Sequence, residues 1–181
     1  DEKPKGELDL EGIDINKISI VCGLGVFSSG NLNNFETIYR SPGIYRYRKE
    51  IKKIENQGIK ISSAIKLFFE LCPATIIGVT GTKGKGTTST LVYEILKKAG
   101  KKVYLDGNIG KPYLKLLYKL KKNDYVVLEL SSFQLIDLDM SPHIAVVLNV
   151  TTDHMDWHKN RDEYVNAKSN IVRFQSKDDF T

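Results

Sequence analysis

An α/β fold with a mostly parallel sheet is predicted for this chain, and three observations predict it. Short apolar runs alternate with amphipathic segments along most of the 181 residues, a pattern that implies strands linked by crossover helices. One apolar run, TIIGVT, passes directly into the glycine-rich GTKGKG and then into the helix-like TSTLVYEILKKAG. Two further runs, DYVVLEL and IAVVLNV, are apolar almost throughout, as strands covered on both faces must be.

Taken in order, residues 18–22 of KISIVCGLG read as the first strand, and FETIYR as a second, short one stopped by the turn Ser41-Pro42-Gly43. In YRKEIKKIENQG, Ile51 and Ile54 stand at helical spacing, and Gly58 suits the position just past a helix end. IKIS is a short strand, Ser62 is the expected N-cap of the helix SAIKLFFEL, and Pro73 ends that helix. After TIIGVT and its helix come the strand KKVYLD, a helix over KPYLKLLYKLKK, the strands DYVVLEL and IAVVLNV, and a last helix over residues 162–174. A boundary near Leu71–Ala74 divides residues 1–73 from residues 74–181.

Composition narrows the class. With 41% hydrophobic and 27% charged residues, the chain can bury a core and keep a solvated surface. Its net charge of +5 comes from lysines scattered over helix-like surfaces, without the aromatic interleaving of a nucleic-acid groove. No nucleic-acid partner is expected. The two cysteines, Cys22 and Cys72, adjoin apolar segments and suit buried hydrophobes in a reducing compartment better than a disulfide framework. No stretch approaches the length of a membrane span, and the charged start DEKPKGELDL lacks the apolar core of a secretory signal. A cytoplasmic protein without a membrane partner is the expectation. The polar lead before the first strand and the ending RFQSKDDFT, just after a helix pattern, suggest that elements are missing at both ends.

The glycine-rich stretch carries the first chemistry. Gly78-Val79-Thr80-Gly81-Thr82-Lys83-Gly84-Lys85 follows a predicted strand and opens a predicted helix, the setting of a phosphate-binding loop. Glycines let backbone N–H groups converge on phosphate oxygens, the helix N-terminus adds partial positive charge, and Lys85 reaches the terminal phosphates. A nucleoside triphosphate is the expected ligand, held by Gly81, Thr82, Lys83, Gly84, Lys85, Gly86, Thr87 and Thr88. Gly86 departs from the general pattern, which has Ser or Thr there for magnesium, so that hydroxyl falls to Thr87 or Thr88.

Glu129 sits near the carboxyl end of an otherwise apolar strand. Ligands of open α/β sheets bind at such ends, and magnesium bridging Glu129 to the nucleotide is one reading; a strand-end glutamate facing solvent is the other. In the last helix Tyr164, Val165, Ile171 and Val172 form an apolar stripe with Lys168 in its middle. Either Lys168 is buried, which favours the neutral, nucleophilic amine, or its head escapes to solvent. Asp153, His154, Asp156 and His158 cluster in the preceding loop, which alone does not distinguish a metal or phosphate role from a solvated loop.

Together, GVTGTKGKGTT, GNIG, LELSSFQL, NVTTDHMDWH and EYVNAKSNI, with SPGI upstream, resemble the Mur ligases of peptidoglycan synthesis, and LELSSFQL most resembles their D-glutamate-adding branch. The resemblance implies a partial Rossmann-like N-terminal domain for UDP-substrate binding over residues 1–73. It implies the first part of a phosphate-loop, ATP-binding central domain over residues 74–181. It assigns Lys85 to the phosphates, Glu129 to one magnesium ion, His154 to a second metal position, and Lys168 to a lysine that becomes carbamylated and binds metal. Asn108, Ser131 and Gln134 match positions facing ATP or the UDP-muramoyl substrate. The implied substrates are ATP, UDP-N-acetylmuramoyl-L-alanine and D-glutamate, joined by a monomeric ligase whose present residues alone would be inactive. Gly86 instead resembles the GKGS loop of folylpolyglutamate synthases, a sister family, whereas GNIG and SSFQL favour the Mur side. A ligase acting on a folate tail and a non-catalytic nucleotide-binding module are the alternatives.

Overall fold

A computed structural model describes residues 35–108 and 113–181; the strand expected at 18–22, Cys22, and Ile109 and Gly110 of the GNIG segment lie outside the described residues. The elements are β1 (Thr37–Arg40), α1 (Lys49–Asn56), β2 (Lys60–Ser63), α2 (Ala64–Leu71), β3 (Thr75–Thr80), α3 (Lys85–Lys98), β4 (Val103–Gly107), a 3-10 helix (Tyr113–Tyr118), β5 (Tyr125–Glu129), α4 (Ser132–Leu135), β6 (Ile144–Val147) and α5 (Arg161–Arg173). No helix among the described residues is long and apolar enough to cross a membrane.

The chain divides into two compact units. Of the described residues, 35–38 and 47–61 belong to the first, and Tyr39–Arg46 with Ser62–Thr181 form the second. The helix α2 thus belongs with the second unit, and the division falls upstream of the boundary read at Leu71–Ala74. In the first unit, α1 buries Ile51 and Ile54, one helical turn apart. Gly58 follows its end at φ +84°, where its N–H donates to the Glu55 carbonyl at 2.9 Å, the closing role that its position suggested.

The second unit is built on a four-stranded sheet in the order β4-β5-β3-β6, with every neighbour parallel. Strand periodicity sends alternate β3 residues to opposite faces. Ile76, with Val126 and Leu128 of β5, packs against Ile65 and Phe68 of α2, Leu135 of α4 and Ile171 of α5. Ile77 and Val79, with Val127, pack against Val92, Tyr93 and Leu96 of α3. Helices on both faces explain the unbroken apolar runs that mark these strands in the sequence. Because β3 leads to β4 on one side while β5 leads past β3 to β6 on the other, the loops after β3 and β5 open where the crossovers diverge, the usual place for a ligand in such sheets.

Three local details differ from the sequence expectations. The N-cap of α2 is Ser63, not Ser62: β2 runs through Ser63, whose extended backbone lets its Oγ accept from the Lys66 N–H at 3.3 Å. The helix expected over 111–122 is a 3-10 helix at Tyr113–Tyr118. With three residues per turn it places Leu114 and Leu117 on one side, where both pack against the core. The segment after β5 turns into the four-residue α4, which the strand pattern did not suggest.

Upstream, the Ser41-Pro42-Gly43 turn closes with the Ile44 N–H on the Ser41 carbonyl at 3.0 Å. Arg40 is buried beside it, donating to the Ser41 carbonyl at 2.9 Å and to the Phe133 carbonyl at 3.1 Å while pairing with Asp137. A second arginine, Arg46, reaches the same carboxylate at 3.2 Å. The turn is thereby fastened to α4 and the residues just after it.

Candidate functional site

The β3–α3 loop begins at Gly81 and ends at Gly84, the N-cap of α3, which sits in the left-handed region at φ +85°. A glycine there offers no side chain to the first N–H groups of α3, so the helix start stays open to an anion. Backbone bonds tie the loop to the end of β6: the Leu148 N–H donates to the Thr80 carbonyl and the Thr82 N–H to the Asn149 carbonyl, each at 2.9 Å. Lys85 folds back onto the loop, its Nζ donating to the carbonyls of Gly81 at 3.2 Å and Thr82 at 3.0 Å. Those acceptors are neutral, and phosphate oxygens would compete well, since charge-assisted bonds are about twice as strong. Lys83, Gly84 and Thr87 are exposed at the rim, with Gly86 and Thr88 half-buried.

Glu129 ends β5, paired in register with Val79 of β3 and Gly107 of β4. Gly107 has φ +111°, and a Cβ on it would lie 2.3 Å from the Glu129 carbonyl oxygen, so a side chain would strike fixed backbone there. This close approach delivers Asn108, whose N–H donates to the Glu129 carbonyl at 3.0 Å and whose Nδ2 donates to Glu129 Oε1 at 3.3 Å. The other carboxylate oxygen faces α3. A Cβ built on Gly86 would stand 3.0 Å from Glu129 Oε2, so the residue that broke the loop pattern leaves room for an acidic oxygen against the positive end of the helix.

Lys168 does not escape to solvent. Only 4% exposed, it donates from Nζ to the Gly81 carbonyl at 2.8 Å and to Thr80 Oγ1 at 3.4 Å. Its ammonium lies 4.8 Å from the centre of the Tyr164 ring, within cation–π range. Burial, with Lys85 nearby adding like charge and Asp153 opposing, lowers its pKa to about 8. Roughly one molecule in ten then carries the neutral amine at pH 7. Lys85 and Lys168 therefore converge on one carbonyl, that of Gly81.

The acidic and histidine cluster divides. His154 is exposed and adopts φ +55°, a backbone uncommon for a residue with a side chain, and its ring lies 4.8 Å from that of Phe133, tilted at 59°. His158 is buried between two partners, its Nε2 2.9 Å from Ser132 Oγ and its Nδ1 3.2 Å from Glu163 Oε1. Burial lowers its pKa, and a carboxylate can only accept, so neutral His158 donates from Nδ1 and accepts the Ser132 hydroxyl at Nε2. Tyr45 donates to the other Glu163 oxygen at 2.7 Å. Although the order Ser, His, Glu resembles a hydrolase triad, Ser132 is 1% exposed and cannot meet a substrate. The chain braces α4 against the start of α5.

Ser131 and Gln134 are buried, and both the N–H and the hydroxyl of Ser131 donate to Gln134 Oε1, at 2.9 and 3.0 Å. They close the first turn of α4. Among the described residues no three His, Cys, Asp or Glu side chains gather as a metal-ligand set. Ser132, Glu163, Tyr164 and Thr82 make the polar contacts that sequence reading missed or left unexplained. The spacing Ser131-x-x-Gln134 was the available signal for α4, since Ser followed three residues later by Gln is a helix-start pattern.

An uncapped helix start behind a glycine loop, a carboxylate at the next strand end and a buried lysine beneath the loop define a phosphate-loop α/β protein. The chain belongs to the Mur ligase family: residues 79–181 match the model described as the Mur ligase middle domain. It is 47% identical over 162 residues to the UDP-N-acetylmuramoylalanine–D-glutamate ligase of Acetivibrio thermocellus, covering 90% of this chain and 35% of that protein. It is 42% identical over 178 residues to the enzyme of the same name from Clostridium acetobutylicum, covering 98% and 38%. The chain thus spans little more than a third of these relatives' length. A solved structure of UDP-N-acetylmuramate:L-alanyl-gamma-D-glutamyl-meso-diaminopimelate ligase from Neisseria meningitides shares the fold with a TM-score of 0.51 at 17% identity, over 83% of this chain and 52% of that one.

Proposed function

We propose that the chain carries part of the UDP-substrate domain, residues 1–73, and part of the ATP-binding domain, residues 74–181, of a cytoplasmic, monomeric amide ligase. In this reading ATP drives the joining of D-glutamate to UDP-N-acetylmuramoyl-L-alanine, the reaction for which its 39–47% identical relatives are named. The observation that carries the chemistry is the buried Lys168 amine, 2.8 Å from the Gly81 carbonyl beneath the phosphate loop. A simple nucleotide switch has no use for a desolvated amine there.

The substrate carboxylate attacks the terminal phosphorus of ATP, ADP leaves, and an acyl phosphate forms. The amine of D-glutamate then attacks the acyl carbon, and the tetrahedral adduct expels phosphate and loses a proton to give the amide. Lys85 exchanges its two loop carbonyls for phosphate oxygens, and the open N–H groups of α3 receive the same anion. Asn108 keeps Glu129 in place. Asn108, Ser131 and Gln134 remain the proposed substrate-side positions, the last two as the ordered first turn of α4.

The residues fit magnesium: Thr87, Glu129 and a carbamate on Lys168 offer hard oxygens beside one imidazole nitrogen from His154, and the absent side chain at Gly86 leaves space beside Glu129 Oε2. Glu129 would hold one magnesium ion and His154 a second metal, with Thr87 and carbamylated Lys168 as further ligands, and these ions would supply neutralisation of charge on the phosphoryl oxygens. Carbamylation joins the neutral Lys168 amine to carbon dioxide with release of a proton. It replaces repulsion between Lys168 and Lys85 by attraction.

The discriminating experiment measures phosphate release by the full-length protein. Release is expected only when ATP, UDP-N-acetylmuramoyl-L-alanine and D-glutamate are all present; equal release from ATP alone points to a nucleotide switch and contradicts the ligase reading.

A further inference from the structure

Tyr164 sits on α5 one helical turn before Lys168 and is fully buried. Its place in the apolar stripe accounts for the ring. It does not account for the hydroxyl, which must find a partner when buried. The Tyr164 hydroxyl shares a 2.9 Å hydrogen bond with Thr82 Oγ1, inside the phosphate loop. The same Thr82 oxygen accepts the Thr151 N–H at 2.9 Å, from the segment after β6. Meanwhile the Tyr164 ring lies under the Lys168 ammonium, which donates to the Gly81 carbonyl. One turn of α5 therefore grips two consecutive loop residues, Gly81 through Lys168 and Thr82 through Tyr164. These are the two residues whose carbonyls hold Lys85.

We propose that Tyr164 is a positioning residue for nucleotide binding: through Thr82 it fixes the phosphate loop at the height on α5 that lets Lys85 and the α3 N-terminus meet the same phosphates. The inference rests on the nucleotide-binding reading above and adds a residue that touches neither nucleotide nor substrate. Burial also raises the phenol's pKa, so it stays protonated at any working pH. Without the Tyr164 hydroxyl the loop keeps its backbone ties to β6 and the Lys168 bond at Gly81, but Thr82 loses its tie to α5. Part of the cost of ordering it is then charged to ATP binding.

The test is calorimetric titration of ATP into the full-length protein and its variants, with melting temperature measured in parallel. Tyr164→Phe, which keeps the ring, is expected to weaken ATP binding about two- to thirteen-fold, the worth of one neutral hydrogen bond. Thr82→Val, which removes the oxygen that Tyr164 meets, should weaken binding. In the Thr82→Val background the further change Tyr164→Phe should have little effect, because the bond is already gone. Unchanged affinity in Tyr164→Phe, even with a lowered melting temperature, assigns the hydroxyl a purely structural role and overturns the proposal. So does a full Tyr164→Phe effect in the Thr82→Val background. If Tyr164→Phe does not fold, Thr82→Val binding as tightly as the parent overturns it instead. Failure of the parent protein to bind ATP removes the nucleotide-binding reading itself, and this proposal with it, whereas the other outcomes leave that reading standing.

Discussion

Lys168→Ala in the full-length protein is expected to lower the rate of amide synthesis by roughly a hundred- to a thousand-fold, the usual loss when a preorganised charge is removed from a reacting centre. ATP affinity should change little, because the lysine in its present state contacts loop backbone and Thr80 rather than the open face of α3. On the proposed carbamate reading the group lost is an anion needed during chemistry, so kcat should fall while the nucleotide still docks. Truncation also leaves a cavity where a buried side chain stood. Short carboxylic acids such as acetate are expected to restore part of the rate by placing two oxygens in that cavity. A steady-state assay with and without acetate reads both effects. A variant with near-parental activity would contradict the carbamate role.

Lys85→Ala acts on the other partner of the Gly81 carbonyl. Removing a charge-assisted contact to phosphate costs about 1.5–3 kcal/mol, which converts to roughly ten- to 150-fold weaker ATP binding. No destabilisation of comparable size is expected, since Lys85 is half-exposed and its bonds in the free protein are to two carbonyls on its own loop. Calorimetric titration on a variant with an unchanged melting temperature checks this. Unaltered affinity would contradict the loop assignment.

The strands of the second unit were legible because both faces of the sheet are covered, so β3, β5 and β6 are nearly free of polar residues until their carboxyl ends. There the polar residues are Thr80 and Glu129, and they lie at the site. Helix α5 was legible to within a residue from its stripe; the structure adds its cap, Asn160, which accepts the Glu163 N–H at 2.9 Å. Less was legible where an element is too short to repeat. Four residues of α4 cannot display a helical period, and the leucines at 114–117 suit an α-helix and a 3-10 helix alike.

Side-chain direction was the other gap. Periodicity places the Cβ of Lys168 on the inner face, but the end of a four-carbon stem is free to turn outward, so only the structure decides for the buried amine. The consequence of Gly86 was hidden for a related reason. It depends on how the first turn of α3 meets the end of β5, a distance between residues 43 positions apart in the chain. The Ser132–His158–Glu163 brace likewise joins an element that the sequence did not reveal to a histidine that looked like one of a surface cluster.

The most direct test follows the oxygen atoms of the reaction. UDP-N-acetylmuramoyl-L-alanine labelled with oxygen-18 in its free carboxylate is incubated with the full-length protein, ATP, magnesium and D-glutamate, and the released phosphate is examined by mass spectrometry. An acyl-phosphate mechanism leaves one carboxylate oxygen on the phosphate, so the account predicts one label in each phosphate formed alongside the amide. Phosphate released without label would mean that water, not the substrate carboxylate, attacks ATP, and would contradict the account.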